Sequence, residues 1–136
     1  MSVNIDRAIA TSDYDCEERR AELIWLAEQA SSKKLICEVG SWRGTTTIAM
    51  AENTSGIVYA VDTFEGSVGE EQHQKLSEKP EDWLYQEFMR NTSFLKNLVI
   101  VRSASVVAAK GLGHLRFDMI FLDASHDLQS LSLIHI

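Results

Sequence analysis

The stretch Glu38-Val39-Gly40-Ser41-Trp42-Arg43-Gly44-Thr45-Thr46-Thr47 decides the fold of this chain. Just before it, Leu35-Ile36-Cys37 is a short apolar run without alternation, the pattern of a strand covered on both faces. Just after it, Thr45 to Ala51 reads as the first turns of a helix whose unpaired backbone N–H groups face the preceding loop. A buried strand thus turns into a helix through a loop that carries a carboxylate and two glycines and is lined with donors.

Working outward, Ile57 to Asp62 reads as a second strand after the turn residues Thr54-Ser55-Gly56. Strand, helix and strand within about thirty residues make a βαβ unit. Upstream, Leu23, Ile24, Leu26, Ala27 and Ala30 recur at helical spacing behind an acidic first turn, which predicts an outer helix over 13–30 packed on the sheet. Downstream, Thr63 to Lys79 is polar and aperiodic, a surface flap, and Pro80 opens a helix continued by Trp83, Leu84, Phe88, Met89 and Leu95. Leu98 to Val101 is the third strand, Ser105 to Leu115 a weaker helix, and Phe117 to Asp123 the fourth strand, ending in an acid. The alternation predicts an α/β, doubly wound sheet of four parallel strands with flanking helices. Trp83, Tyr85 and Phe88 read as core at helical spacing, ahead of the alternative that they line a pocket.

Composition narrows the function classes. The 136 residues suit one domain, 45% apolar content is ordinary for a packed core, and a single proline argues against disorder. Thirteen basic against twenty acidic residues leave a net charge of -7 without a basic run, which disfavours nucleic acid. Cys16 and Cys37 fit neither a disulfide framework nor a zinc set, so both are expected to be reduced thiols of a cytoplasmic protein. No apolar run has the length of a signal-peptide core or a membrane span, so membrane insertion is disfavoured as well.

Spacing then chooses among nucleotide-binding loops. A dinucleotide fingerprint needs glycine where Trp42 and Thr45 stand, and a P-loop needs four residues between its glycines where this chain has three. What remains is E-x-G-x-x-x-G followed by Asp62 at the end of the next strand, 62 − 40 = 22 residues beyond the first glycine. That offset is near the ~20 residues at which a carboxylate meets a ribose hydroxyl pair in a Rossmann-like unit.

Here the chain resembles the class I S-adenosylmethionine-dependent methyltransferases, in the branch whose first motif carries an aromatic in place of its middle glycine. The matching residues are Glu38, Gly40, Trp42, Gly44, Thr46 and Thr47, then Asp62-Thr63-Phe64 after the second strand and Asp123-Ala124-Ser125-His126 after the fourth. That branch holds small-molecule O-methyltransferases and cephalosporin hydroxylase-like proteins. The resemblance runs from Lys34 to about Gln129 and implies a Rossmann-like sheet of which this chain supplies the front half.

The resemblance also implies roles. Glu38 shapes the loop and helps hold the ammonium end of S-adenosylmethionine, Gly40, Ser41 and Gly44 let the backbone approach it, and Asp62 accepts from the ribose hydroxyls. Phe64 would lie near the adenine or ribose, its alternative being a hydrophobic anchor of the flap. Ser103 and Ala104 end the third strand where relatives contact the adenine ring. Asp123 and His126 are the catalytic candidates. In metal-dependent relatives the acid in the place of Asp123 binds a divalent cation, together with carboxylates that follow the next strand; a metal role for Asp123, with Mg2+ as the candidate ion, is conditional on that strand, which is absent from this sequence. His126 is read as general base, acceptor contact or helix cap, and Arg43 as a partner of either the cofactor carboxylate or a surface acid.

The expected function is S-adenosylmethionine-dependent methyl transfer to a hydroxyl of a small molecule or sugar, with a small-molecule acceptor as partner and a homo-oligomer left open. A non-catalytic cofactor-binding or partner domain is the alternative. The final six residues, Leu131 to Ile136, resemble a translated transposase adapter. Residues 1–130 are therefore expected to form the N-terminal, cofactor-binding part of the domain, and residues 131–136 a non-native tail.

Overall fold

The computed structural model describes residues 2–65 and 82–123. Among these described residues nine elements follow in order: α1 (Asp6–Ala10), α2 (Glu17–Ala30), β1 (Leu35–Val39), α3 (Thr45–Ala51), β2 (Ile57–Asp62), α4 (Trp83–Thr92), β3 (Leu98–Arg102), α5 (Ser105–Gly111) and β4 (Met119–Leu122). The strands form one sheet in the order β3-β2-β1-β4, and every pairing is parallel. β1 is central because Ile36, Cys37, Glu38 and Val39 are all buried, which only a strand covered on both faces and flanked on both sides allows.

Alternation along the strands divides the core in two. Ile36 and Val58 pack with Leu26 and Ala30 of α2 and with Met50 and Ala51 of α3, while Ala60 meets Leu84 and Phe88 of α4. On the other face Cys37, Val39 and Val61 pack against Ala108 of α5. Helices therefore cover both faces, as the doubly wound pattern requires, and Glu38 belongs by register to the face that α3 covers.

Some boundaries move. The helix predicted over 13–30 begins at Glu17, with Cys16 as its N-cap accepting from the Arg19 N–H. Asp13 is thereby released from the helix. Ile24, read as inward, is exposed, whereas Leu23, Leu26, Ala27 and Ala30 are buried as expected. α1 was not foreseen, since five residues are too few to display a period. Its Ala8 and Ile9, with Ile5 before it, pack on Leu23, Ala27, Ile48 and Ala49. β4 starts at Met119 because Asp118 has another task. Its Oδ2 accepts from the N–H groups of Lys34 and Leu35 at 2.8 and 3.1 Å, which caps the start of β1 and holds the Asp118 carboxyl below its usual range. Most of the predicted flap, with Pro80, and the suspected tail lie outside the described residues. Among those described, no helix is long and apolar enough to cross a membrane.

Candidate functional site

The carboxyl ends of the four strands bring the predicted residues into one row. Asp123 N–H donates to Val39 O, Gly40 N–H to Val61 O, and Ser103 N–H to Asp62 O, at 2.8, 2.8 and 2.9 Å. The ladder thus continues one residue past β1, β3 and β4, and Ser103, Asp62 at the end of β2, the Gly40-Ser41 turn and Asp123 stand side by side. Three strand spacings of about 4.8 Å make the row about 14 Å long. Open α/β sheets bind ligands along this edge.

Asp62 organises the middle of the row. Its Oδ2 accepts from the backbone N–H groups of Ser41 and Trp42 at 2.9 and 3.0 Å, and its Oδ1 accepts from Phe64 N–H at 2.9 Å. One carboxylate therefore fixes the loop after β1 and the turn after β2 together. Gly40 and Gly44 take φ values of 93° and 98°, and between them Trp42 is held at 52°, in the left-handed region that a side chain disfavours. A Cβ on Gly44 would come within 2.9 Å of Thr92 Cγ2 and 3.2 Å of Phe88 Cδ2. Glycine there admits α4 against the start of α3.

Glu38 lies beneath the loop with no exposed surface. The hydroxyls of Thr46 and Thr47, in the first turn of α3, each donate to one of its carboxylate oxygens. Burial dominates over these bonds and pushes the Glu38 carboxyl up to about 7. The Ser41 hydroxyl is close enough to favour the ionised form of Glu38, but its geometry falls short of a hydrogen bond. Ser41 Oγ is consequently buried without a hydrogen-bond partner. The threonine partners were visible in the motif, though nothing in their spacing from Glu38 revealed that both would turn back onto it.

Other candidates resolve differently. The Phe64 ring is 2% exposed and packs on Phe88 and Tyr85 with centroids at 4.8 and 5.1 Å, so it is a core anchor. Its backbone N–H, and not its ring, reaches the site. Phe88 is core as predicted, with Trp83 and Tyr85 partly buried beside it. Arg43 pairs with two acids, Asp13 and Glu87. Asp13 had been read into a helix, and no sequence signal pointed to it. Ala104 follows Ser103 as the exposed N-cap of α5. Asp123 is exposed beyond β4, and His126 lies outside the described residues. Among the described residues no group of three or more His, Cys, Asp and Glu side chains could hold a metal ion, so Asp123 has no partner ligands there and the metal reading gains no support. A cavity of about 420 Å³ lies under α5, lined by Cys37, Val39, Ala108, Leu112 and Phe117. Its lining is mainly apolar, with Ser105 and Arg116 as polar exceptions, and it lies on the face opposite Glu38. Burial raises the Cys37 thiol to about 11, which keeps it a protonated, inert core group.

A sequence profile of the methyltransferase domain matches residues 37–133, from β1 onward. The chain belongs to that family. Solved structures share the domain's fold. An assigned O-methyltransferase of Klebsiella pneumoniae superposes with a TM-score of 0.59 at 20% identity, over 88% of this chain and 52% of that one. The O-methyltransferase from Bacillus cereus, in complex with S-adenosylhomocysteine, gives 0.51 at 18% identity, over 86% and 49%. Precorrin-8w decarboxylase of Methanobacterium thermoautotrophicum gives 0.60 at 20% identity, over 92% and 59%. The methyltransferase domain here thus spans about half the length of the first two structures. No functionally curated protein is significantly similar in sequence.

Proposed function

We propose that this methyltransferase domain binds S-adenosylmethionine along the row from Ser103 to Asp123 and serves methyl transfer to a hydroxyl of a small-molecule acceptor. One observation carries the cofactor reading. The loop that the family motif supplies is held open by Asp62 with Ser41 Oγ buried and unpartnered beneath it, and a buried hydroxyl of this kind is costly unless a ligand or water completes it. The chemistry of the donors fits the cofactor. Asp62, partly exposed, keeps one lone pair on Oδ1 for a ribose hydroxyl, and Glu38, poised near neutrality below the loop, would be held in its charged form by an ammonium group above it. Gly40 and Ser41 contribute the backbone approach, Gly44 keeps the loop seated, and Ser103-Ala104 borders the adenine end. The cofactor, when bound, supplies an electrophilic methyl group on a sulfonium.

On the acceptor side, Asp123 is the exposed carboxylate at the end of the row, suited to accept a hydrogen bond from the attacking hydroxyl. His126, three residues further along the chain, is the proposed proton acceptor. The same solved O-methyltransferases support an oxygen acceptor. Mg2+ enters no step.

Calorimetry with S-adenosylhomocysteine tests the assignment. Binding in the micromolar range is expected, with at least a tenfold loss for Asp62→Ala. Unchanged affinity in that variant overturns the ribose role. A release assay for S-adenosylhomocysteine across hydroxyl acceptors then separates the enzyme from a non-catalytic cofactor-binding domain, which would bind without turnover.

A further inference from the structure

The cofactor loop is gripped on its inner rim by Asp62 and on its outer rim by a second set of groups. Asp13 Oδ2 accepts from Trp42 Nε1 at 3.1 Å, and its Oδ1 accepts from Arg43 Nη1. Arg43 Nη2 donates to Glu87 Oε1 of α4 at 2.8 Å, and Asn91 Nδ2, one turn further along α4, donates to the Arg43 carbonyl at 2.9 Å. The loop between Gly40 and Gly44 is therefore bonded on one side to the segment before α2 and on the other to α4. We propose that Arg43 is a positioning residue for the cofactor, acting as a clamp that bridges Asp13 and Glu87 and so holds the Ser41 and Trp42 N–H groups in register with Asp62. The inference rests on the cofactor reading above.

The reasons are conformational and chemical. Trp42 at φ 52° sits in the left-handed region that a non-glycine residue disfavours, and such a geometry persists only where the surroundings over-determine it. Asp13 binds both the Trp42 indole and its neighbour's guanidinium, so the clamp acts directly on the strained residue. Arginine suits the place because its planar fork presents two separate N–H faces to two carboxylates, whereas a lysine ammonium is a point charge on a flexible stem. The partners differ in exposure. The Glu87 side chain is 14% exposed and that of Asp13 51%, so the α4 arm is the better shielded and the Asp13 arm the one that salt weakens first.

Arg43→Gln and Arg43→Lys in this chain, measured by calorimetry with S-adenosylhomocysteine, thermal unfolding and amide hydrogen exchange, test the clamp. Arg43→Gln is expected to weaken binding about tenfold and to speed exchange at Ser41 and Trp42, with only a small change in melting temperature. Arg43→Lys should recover part of the affinity, since it keeps the charge but reaches one acid at a time. Affinity within twofold of the unmodified chain in Arg43→Gln, with unchanged exchange, overturns the proposal. A large fall in melting temperature with affinity retained at low temperature also overturns it, because the residue would then be merely structural. If the unmodified chain itself fails to bind, the cofactor reading fails first. The clamp is then judged on exchange without ligand, and equal rates at Ser41 and Trp42 in both proteins sink it.

Discussion

Replacing Glu38 by glutamine isolates the cost of a charge placed under the cofactor loop. The carboxylate has no exposed surface, and burial raises it to about 7 from an ordinary value of 4.5. Between those values the folded chain holds a proton that the unfolded chain has released. The stabilisation from this group is therefore complete below pH 4.5 and is lost as pH rises through about 7. A difference of about 2.5 in pKa corresponds to about 3 kcal/mol, of which about 2.5 kcal/mol falls between pH 5 and pH 8. Glutamine has nearly the same shape, does not titrate, and can still meet the Thr46 and Thr47 hydroxyls, which accept as readily as they donate. Urea unfolding at pH 5, 6, 7 and 8 should show the stability of Glu38→Gln gaining on the unmodified chain by about 2–3 kcal/mol across the series. Other titrating groups cancel in the comparison. Parallel stability profiles, with a constant offset, would falsify the reasoning. They would mean that the two hydroxyl bonds offset desolvation in full and that Glu38 ionises as an ordinary carboxylate.

Two further outcomes follow from the packing around the loop. Gly44→Ala should destabilise by about 2–4 kcal/mol, combining a left-handed residue with a Cβ forced against Thr92 and Phe88. Adding Thr92→Ser removes the nearest methyl while keeping a hydroxyl for the Phe88 carbonyl, so the double variant should recover the steric part only, as read by denaturant midpoints. Iodoacetamide at pH 8 should label the exposed Cys16 of the folded chain and spare Cys37, with both labelled in denaturant. Labelling of both in the folded state would contradict the burial of β1.

Much of the site was legible because its parts are local in sequence. An apolar run followed by glycines fixed where a strand must turn into a helix, and the 22-residue offset to Asp62 runs from the end of the first strand to the end of the second within one βαβ unit, so the topology brings those two places together. Asp123 was legible as the acid that ends β4, whereas the place of β4 beside β1 came from the sheet order alone. What stayed hidden depends on side chains meeting across elements. Phe64 carries an aromatic that is equally at home on a ligand or in a core, and only the positions of Tyr85 and Phe88 sent it inward.

By itself, then, the sequence determined the parallel α/β order, the loop after β1 and the acids at the strand ends, because periodicity and spacing are properties of the backbone path. The tertiary structure alone decided the pairings of the acids. It turned Thr46 and Thr47 onto Glu38, gave Asp62 three backbone N–H groups, and set Arg43 between Asp13 and Glu87. Those bonds join residues up to 44 positions apart, and no local pattern encodes which of several carboxylates a donor will reach once the chain has folded.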